Sequence, residues 1–195
     1  MGANAVVGIV VLVVLAIGAV YSIILYNRLV ALKHQVAKAW SNIDVLLKQR
    51  HDELPKLVDT CRQYMAYEQE TLEKVLEARS RVQAARERGD ARELGSAETF
   101  MRGGLGKLFA LAEAYPDLKA DQGFQHLQQR VTGLEEGIAD RREYYNEAVN
   151  TNNVRTEQFP EVMIANMLGF KAFDLLEFSE EETADVSLGA LFGSA

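Results

Sequence analysis

The sequence predicts an all-α protein in which an N-terminal transmembrane helix continues into a long antiparallel four-helix bundle, followed by a short C-terminal helix and a tail. Three observations predict this class. Residues 5–26 contain no charge. Beyond them, apolar residues recur at three- and four-residue steps, which is the period of one helix face. The chain has only 3 prolines and few β-branched runs outside the apolar stretch, which disfavours sheets.

The apolar stretch of residues 5–26 is long enough to cross a bilayer. At 1.5 Å per residue it extends roughly 33 Å, against a hydrocarbon core of about 30 Å. The alternative is a cleaved signal peptide, with residues 16–18 as the small-residue site. A signal peptide has a charged start and a shorter apolar core, so the stretch favours an anchor that contacts membrane lipid.

The basic residues near the anchor predict its orientation. Arg28, Lys33 and Lys38 follow the apolar stretch, no acidic residue occurs before Asp44, and no Lys or Arg precedes the stretch. The positive-inside rule therefore predicts a single-pass protein with its N-terminus outside and its C-terminal domain in the cytoplasm.

The composition limits the possible partners. A net charge of −7 and a pI near 5.1 argue against a nucleic-acid partner, which needs a basic face. The single cysteine, Cys61, excludes an intrachain disulfide and fits a reducing compartment. The predicted divisions are an anchor at residues 1–27, a bundle at 28–178 and a tail at 179–195.

The first two bundle helices are predicted on either side of a turn. Neither Gly nor Pro occurs between Ala19 and Pro55, so the membrane helix is expected to run on to about Gln49 without a flexible linker. Residues 50–55 then predict a turn followed by a helix start, with Asp52 as the N-cap of the second helix and Pro55 in its first turn. That helix is expected to end at the turn signal of residues 88–90.

The third helix is predicted at residues 96–115, with Ser96 as a partial cap. Gly103, Gly104 and Gly106 lie inside it. Two interpretations stay open for these glycines: a kink, or a close backbone approach.

The fourth helix is predicted at residues 121–158, with Asp121 as a possible N-cap. Its apolar residues form a coiled-coil seam of about four heptads, interrupted by Arg141 and Asn152. A fifth, short helix is expected at residues 161–178. The tail at 179–195 is acidic and then apolar, and it has two interpretations: a disordered end, or a segment that binds a partner or a second subunit.

Several segments in the same order carry a family resemblance. They are residues 27–32, 39–45, 48–52, 57–58, 71–73, 78–79, 115–120, 145–146, 159–160 and 169–170. Together they closely resemble the bacterial LemA family over roughly residues 25–178. Departures are the glycines at 103–106 and Thr151-Asn152, where many relatives have Tyr-Asn.

The resemblance implies a long antiparallel helix bundle on an N-terminal membrane helix in the bacterial inner membrane. It also implies a non-enzymatic protein. A relative takes part in forming bacterial magnetic organelles, which implies a role in membrane organisation.

Charged residues at notable positions have a structural and a functional interpretation. His51 and Asp52 are a candidate metal or acid–base pair, but a turn and cap is preferred. Glu68, Arg79 and Arg141 on apolar seams are candidates for a catalytic or proton-relay cluster, but a structural salt-bridge network is preferred.

The aromatic and sulfur candidates also have a structural and a functional interpretation. Trp40, Tyr64 and Tyr145 are candidates for ligand stacking, with core packing preferred. Cys61 is preferred as a small buried hydrophobe rather than a nucleophile. We therefore predict no catalytic, cofactor-binding or metal residue.

The predicted function is that of a non-enzymatic, membrane-anchored bundle that forms a homo-oligomer and scaffolds, organises or remodels the inner membrane. The alternative is an adaptor or signalling subunit that presents its bundle to another membrane protein, such as a protease or sensor. A third interpretation, an enzyme with a metal in the bundle core, needs several inward Glu and His ligands.

Overall fold

The structure is a computed structural model that describes residues 2–177, which form six α-helices and no strand. The helices are α1 (Ala3–Tyr64), α2 (Gln69–Arg88), α3 (Ala91–Ala112), α4 (Pro116–Ala120), α5 (Gln122–Glu157) and α6 (Glu161–Leu168). The predicted all-α class is confirmed, with a long apolar N-terminal helix and packed helices.

The chain divides into two compact units. Of the described residues, the first unit contains residues 2–44 together with Ala139–Leu175, and the second contains Val45–Ile138 together with residues 176–177. The predicted division at residues 27 and 178 stays a prediction. The predicted tail at 179–195 and Phe178 lie outside the described residues.

In the first unit, α1 and α5 run antiparallel. The rings of Trp40 and Tyr145 pack with their centroids 5.5 Å apart. Towards the other end of α1, Arg28 and Gln35 line the same groove as Thr151 and Arg155. The residues buried here are mostly apolar and follow the predicted stripes: Leu25, Leu29, Val36, Ala39, Ile43, Tyr145, Ala148, Val149 and Ala165.

In the second unit, α2 and α3 pack with the C-terminal part of α1 and the N-terminal part of α5. Arg130 donates to Glu53 at 2.8 Å, and the hydroxyl of Tyr64 donates to Asp121 at 3.1 Å, so α1 and α5 are antiparallel here as well. The core contains Leu47, Leu54, Leu57, Cys61, Leu72, Val75, Leu94, Met101, Leu108, Phe124 and Val131.

Two helix starts and one turn have clear local causes. The carboxylate of Asp121 accepts the backbone N–H of Phe124 at 2.8 Å, which confirms it as an N-cap. Asp90 accepts the N–H of Glu93 at 3.0 Å, so α3 begins at Ala91 and the predicted start at residue 96 is wrong. Gly89 ends α2 with φ 66°, in the left-handed region that glycine favours.

The predicted turn and helix start at residues 50–55 are wrong. Helix α1 continues through Pro55 to Tyr64, and Asp52 is therefore a residue of the helix interior and not an N-cap. The chain reverses at Met65–Glu68 instead, where the N–H of Glu68 donates to the carbonyl of Met65 at 3.2 Å.

The predicted fifth helix of residues 161–178 is shorter than expected. Helix α6 ends at Leu168 because Gly169 has φ 72° and the N–H of Phe170 turns back to the carbonyl of Ala165 at 2.9 Å. The following segment is held against α5. The side chain of Asn153 bonds both the N–H and the carbonyl of Phe173, each at 2.9 Å.

One member of the predicted seam of α5 is wrong. Arg141 is exposed and Arg142 is half-buried, so the inward position between Ile138 and Tyr145 falls one residue later than expected. The helix turns by 3.6 residues and not 3.5, which shifts such positions along a long seam. Asn152 is buried on the seam as predicted.

The glycines at 103–106 lie in an unbroken helix α3. A Cβ at Gly103 would meet nothing within 4 Å, and one at Gly104 would lie 3.7 Å from a methyl group of Val75. The close approach occurs at Gly95, where a Cβ would lie 1.9 Å from the carbonyl oxygen of Glu177. Only a residue without a side chain fits there.

Substitution by alanine is expected to have opposite effects at Gly95 and Gly103. Gly95→Ala should lower the free energy of unfolding by about 1–3 kcal/mol, because the new methyl group must displace a backbone carbonyl. Gly103→Ala should raise it by up to about 1 kcal/mol through helix propensity. Urea unfolding of the detergent-solubilised protein, followed by circular dichroism, measures both. Equal effects of the two substitutions would contradict the close approach at Gly95.

Candidate functional site

The largest uncovered apolar surface is the N-terminal part of α1. Every residue from Val6 to Ile24 is exposed. Within residues 2–177 this is the single helix long and apolar enough to cross a membrane. This helix segment is apolar on all sides, and no other part of the described chain covers it. Such a surface is unfavourable in water and is stable in an apolar environment.

The side-chain hydroxyl of this segment is satisfied within the helix. The hydroxyl of Ser22 donates to the carbonyl of Gly18 at 2.8 Å. In hydrocarbon an unpaired hydroxyl is costly, so this bond makes Ser22 compatible with a lipid surrounding. A Cβ added at Gly18 would meet nothing within 4 Å, which leaves that face of the helix open.

A buried ion cluster lies in the second unit. Arg50 of α1 is 1% exposed and Glu98 of α3 is 0% exposed. Nη1 and Nη2 of Arg50 both donate to the Glu98 carboxylate, with Nη1 at 2.9 Å from its acceptor. Nη1 also donates to the carboxylate of Glu135 on α5. Arg102 of α3 approaches Glu135, with Nε 3.5 Å from Oε2.

The cluster pairs two cations with two anions. Burial acts to lower the pKa of Arg50, but the carboxylates of Glu98 and Glu135 outweigh it and raise that pKa, so the guanidinium stays charged. Removing charges from water is costly unless every one is paired in good geometry. Arg50 and Glu98 are closed to solvent, so the cluster is suited to joining α1, α3 and α5 and not to contacting a substrate.

Pro55 leaves a carbonyl without its helical partner, and Arg79 supplies one. A proline has no N–H to donate to the carbonyl four residues earlier, which here belongs to His51. Nε of Arg79, on α2, donates to that oxygen at 2.9 Å. This contact explains how α1 passes through a proline. Burial, followed by the charge of Arg79, lowers the pKa of His51, which favours the neutral ring.

The residues proposed for a salt-bridge network have separate environments. Glu68 accepts the hydroxyl of Tyr115 at 3.2 Å, Arg79 bonds the backbone of His51, and Arg141 is exposed. The buried salt-bridge network that the structure describes is formed instead by Arg50, Glu98, Glu135 and Arg102.

The aromatic and sulfur candidates lie in the packed interior or at its edge. Tyr145 is buried against Trp40, and its hydroxyl donates to the carbonyl of Asp174 at 3.0 Å. Tyr64 packs elsewhere, through its bond to Asp121. Cys61 is fully buried, and burial raises its thiol pKa to about 12, so the thiolate is not available at neutral pH. In the described part of the chain, no group of three His, Cys, Asp or Glu side chains is placed to hold a metal ion.

Neither Arg50 nor Glu98 was predicted as a site residue, although their positions along the helices are a sequence signal for the buried cluster. Arg50 stands three residues after Leu47 and four before Leu54, and Glu98 stands four after Leu94 and three before Met101. Both therefore occupy inward positions of apolar stripes. Opposite charges at such positions on different helices indicate a buried pair.

These features define a membrane-associated helical protein with one apolar helix that continues into packed helices. The chain belongs to the LemA family, whose model matches residues 39–188.

Named relatives agree with this assignment. The chain is 25% identical over 189 residues to Magnetosome protein MamQ 2 of Paramagnetospirillum magneticum, an alignment that covers 84% of this chain and 68% of the relative. It is 28% identical over 166 residues to Protein LemA of Metamycoplasma hominis, covering 85% of this chain and 74% of the relative.

The ion cluster gives a prediction for Arg50. Arg50→Met should lower the free energy of unfolding by about 3–5 kcal/mol, because it leaves the Glu98 carboxylate buried without a cation. Adding Glu98→Met should recover most of that loss, since Glu135 retains Arg102. Urea unfolding measures both variants, with Lys74→Met at an exposed pair as the nearly neutral control. A double variant no more stable than Arg50→Met would contradict the pairing.

The proline contact is tested by a double-mutant cycle. Arg79→Met should lower the free energy of unfolding by about 1–3 kcal/mol, because the His51 carbonyl loses its donor. In a Pro55→Ala background the same substitution should be less damaging, because residue 55 then donates to His51. Equal losses in the two backgrounds, measured by urea unfolding, would show that Arg79 acts through other contacts.

Proposed function

We propose that this chain is a non-enzymatic, membrane-anchored protein that assembles with copies of itself and scaffolds, organises or remodels the bacterial inner membrane. The observation that carries the proposal is the exposed apolar segment at the N-terminal end of α1. The same helix continues without a break and contributes a stripe of buried residues to the core. In a bilayer this segment is surrounded by lipid, and the rest of α1 projects from the membrane without a loop between them.

The basic residues support one orientation. Arg28, Lys33 and Lys38 are all exposed just after the apolar segment, on the surface of α1. Lys and Arg are enriched on the cytoplasmic side of a span. We therefore propose a single span with the N-terminus outside and the C-terminal domain in the cytoplasm.

The organising role has two supports. The relatives named magnetosome proteins connect the family to a cellular structure. The buried charges of Arg50 and Glu98 lie away from solvent, and their contacts join helices. Such an interior is suited to holding helices of the second unit together, and a scaffold works through its outer surface.

Self-assembly is supported by the open face at Gly18 and Ser22. Small residues four apart allow two spans to approach closely. We expect the detergent-solubilised protein to be larger than a monomer at micromolar concentration, measured by light scattering after size exclusion. Gly18→Leu should shift the distribution toward monomer, whereas Gly8→Leu, a control in the same segment, should leave it unchanged. A strict monomer for the unsubstituted chain would contradict self-assembly.

Crosslinking separates this proposal from an adaptor role. A photoreactive residue in the tail, for example at position 188, should give adducts of the chain with itself in cells. A single foreign membrane protein in place of self-adducts would favour the adaptor.

A further inference from the structure

Helix α6 carries a second uncovered apolar surface. We name as the α6 stripe three exposed apolar residues that follow one another at four-residue steps on this helix and in the turn before it: Phe159, Met163 and Met167. Phe159 is 79% exposed and Met167 is 75% exposed. The opposite side of α6 is packed, since Ala165 and Glu161 are buried. The stripe is therefore a separate face and not the edge of the core.

The C-terminal end of α6 lies at the end of the apolar segment of α1. The ring of Phe170 packs edge-on against Tyr26, with centroids 6.0 Å apart. Leu25 is only 3% exposed, although Ile24 and Tyr26 beside it are exposed. Folded protein of this unit therefore already covers one side of α1 in the last turn of residues 5–26.

The N-terminal end of α6 lies close to the same region. Glu161 borders a groove of about 470 Å³ together with Arg28, Leu29 and Leu32 of α1. Both ends of the helix thus lie beside residues 25–32, within two turns of the end of the apolar segment. If residues 5–26 cross the bilayer, α6 is at the membrane surface.

The charges around α6 favour an anionic surface. Lys33, His34 and Lys171 line a groove of about 600 Å³ that also includes Tyr26 and the chain after α6. Of the acidic groups here, Glu161 is buried and accepts from Arg155 at 3.3 Å, while Glu157 and Asp174 are exposed. Lys and Arg near a bilayer surface are attracted to anionic headgroups.

We propose that α6 is an interfacial membrane helix, with the α6 stripe in the boundary between headgroups and acyl chains and with Lys33 and Lys171 against anionic headgroups. The inference rests on the proposed membrane anchor. Lipid is the chosen occupant because α6 ends beside the exposed apolar segment of α1, where exposed Leu168 lines the same groove as Tyr26. An apolar face beside basic residues is the pattern of helices that lie in the interface.

Nitroxide labels on single cysteines test the depth of α6. Met163→Cys and Met167→Cys are each labelled in the full chain and reconstituted into phosphatidylcholine vesicles with phosphatidylglycerol. The native Cys61 is buried, so it does not compete for the label. The control is Tyr144→Cys, whose exposed site adjoins Tyr145 and hence Trp40, about 21 Å along α1 beyond Tyr26.

The measured quantity is the collision rate of each label with oxygen, which dissolves in lipid, and with a nickel chelate, which stays in water. At 163 and 167 we expect oxygen to dominate, and at 144 the nickel chelate. Leaving out phosphatidylglycerol should move the label at 167 toward water, and Lys33→Gln with Lys171→Gln should have the same effect.

Two outcomes would overturn the inference. Labels at 163 and 167 as accessible to nickel as the label at 144 would place α6 in water. Protection from both reagents, with spin–spin broadening that disappears on dilution with unlabelled protein, would place a second copy on the stripe. A label at Leu15→Cys distinguishes failure of this inference from failure of the proposed membrane anchor. If the label at 15 is also in water, the anchor is wrong. If it is in lipid while the labels at 163 and 167 are in water, only the proposed role of α6 is wrong.

Discussion

The second unit depends on the buried guanidinium of Arg50. It extends from α1 to a carboxylate on α3 and another on α5, and each of these charges is acceptable in the interior only while it is paired. Apolar packing tolerates small rotations and slips of one helix against another. A shared ion cluster does not, because a shifted helix would leave a charge unpaired. The cluster therefore specifies the rotation and register of three helices at one level.

Helix α1 takes part in each of these features. It contributes the apolar segment, the stripe of buried residues after it and the cluster residue Arg50, and it is unbroken from Ala3 to Tyr64. Pro55 is the natural point for it to end. The bond from Arg79 to the His51 carbonyl removes the main penalty of the proline there. A single side chain of α2 thus allows the helix to contribute about another two and a half turns to the second unit.

Several features of the fold were predictable from the sequence because their causes are local. The uncharged residues 5–26, the cap at Asp121 and the turn at Gly89 depend on the residues themselves and their immediate neighbours. Two of the failures have tertiary causes. Pro55 signalled a turn, but Arg79, on a different helix, stabilises α1 there. The glycine that a close contact requires is Gly95 and not the more conspicuous run at 103–106, because the contacting carbonyl comes from a distant segment.

The exposed apolar segment of residues 6–24 and the stripe of buried residues after it belong to one continuous helix, α1. Hydrogen–deuterium exchange of the full chain in lipid nanodiscs, read by mass spectrometry, tests this continuity most directly. The backbone amides between residues 24 and 60 should exchange slowly throughout, with no fast-exchanging peptide around Lys33 or Pro55. Rapid exchange around Lys33 would reveal a flexible linker after the membrane segment, and rapid exchange at residues 50–55 would reveal a turn there. Either result would contradict a single helix.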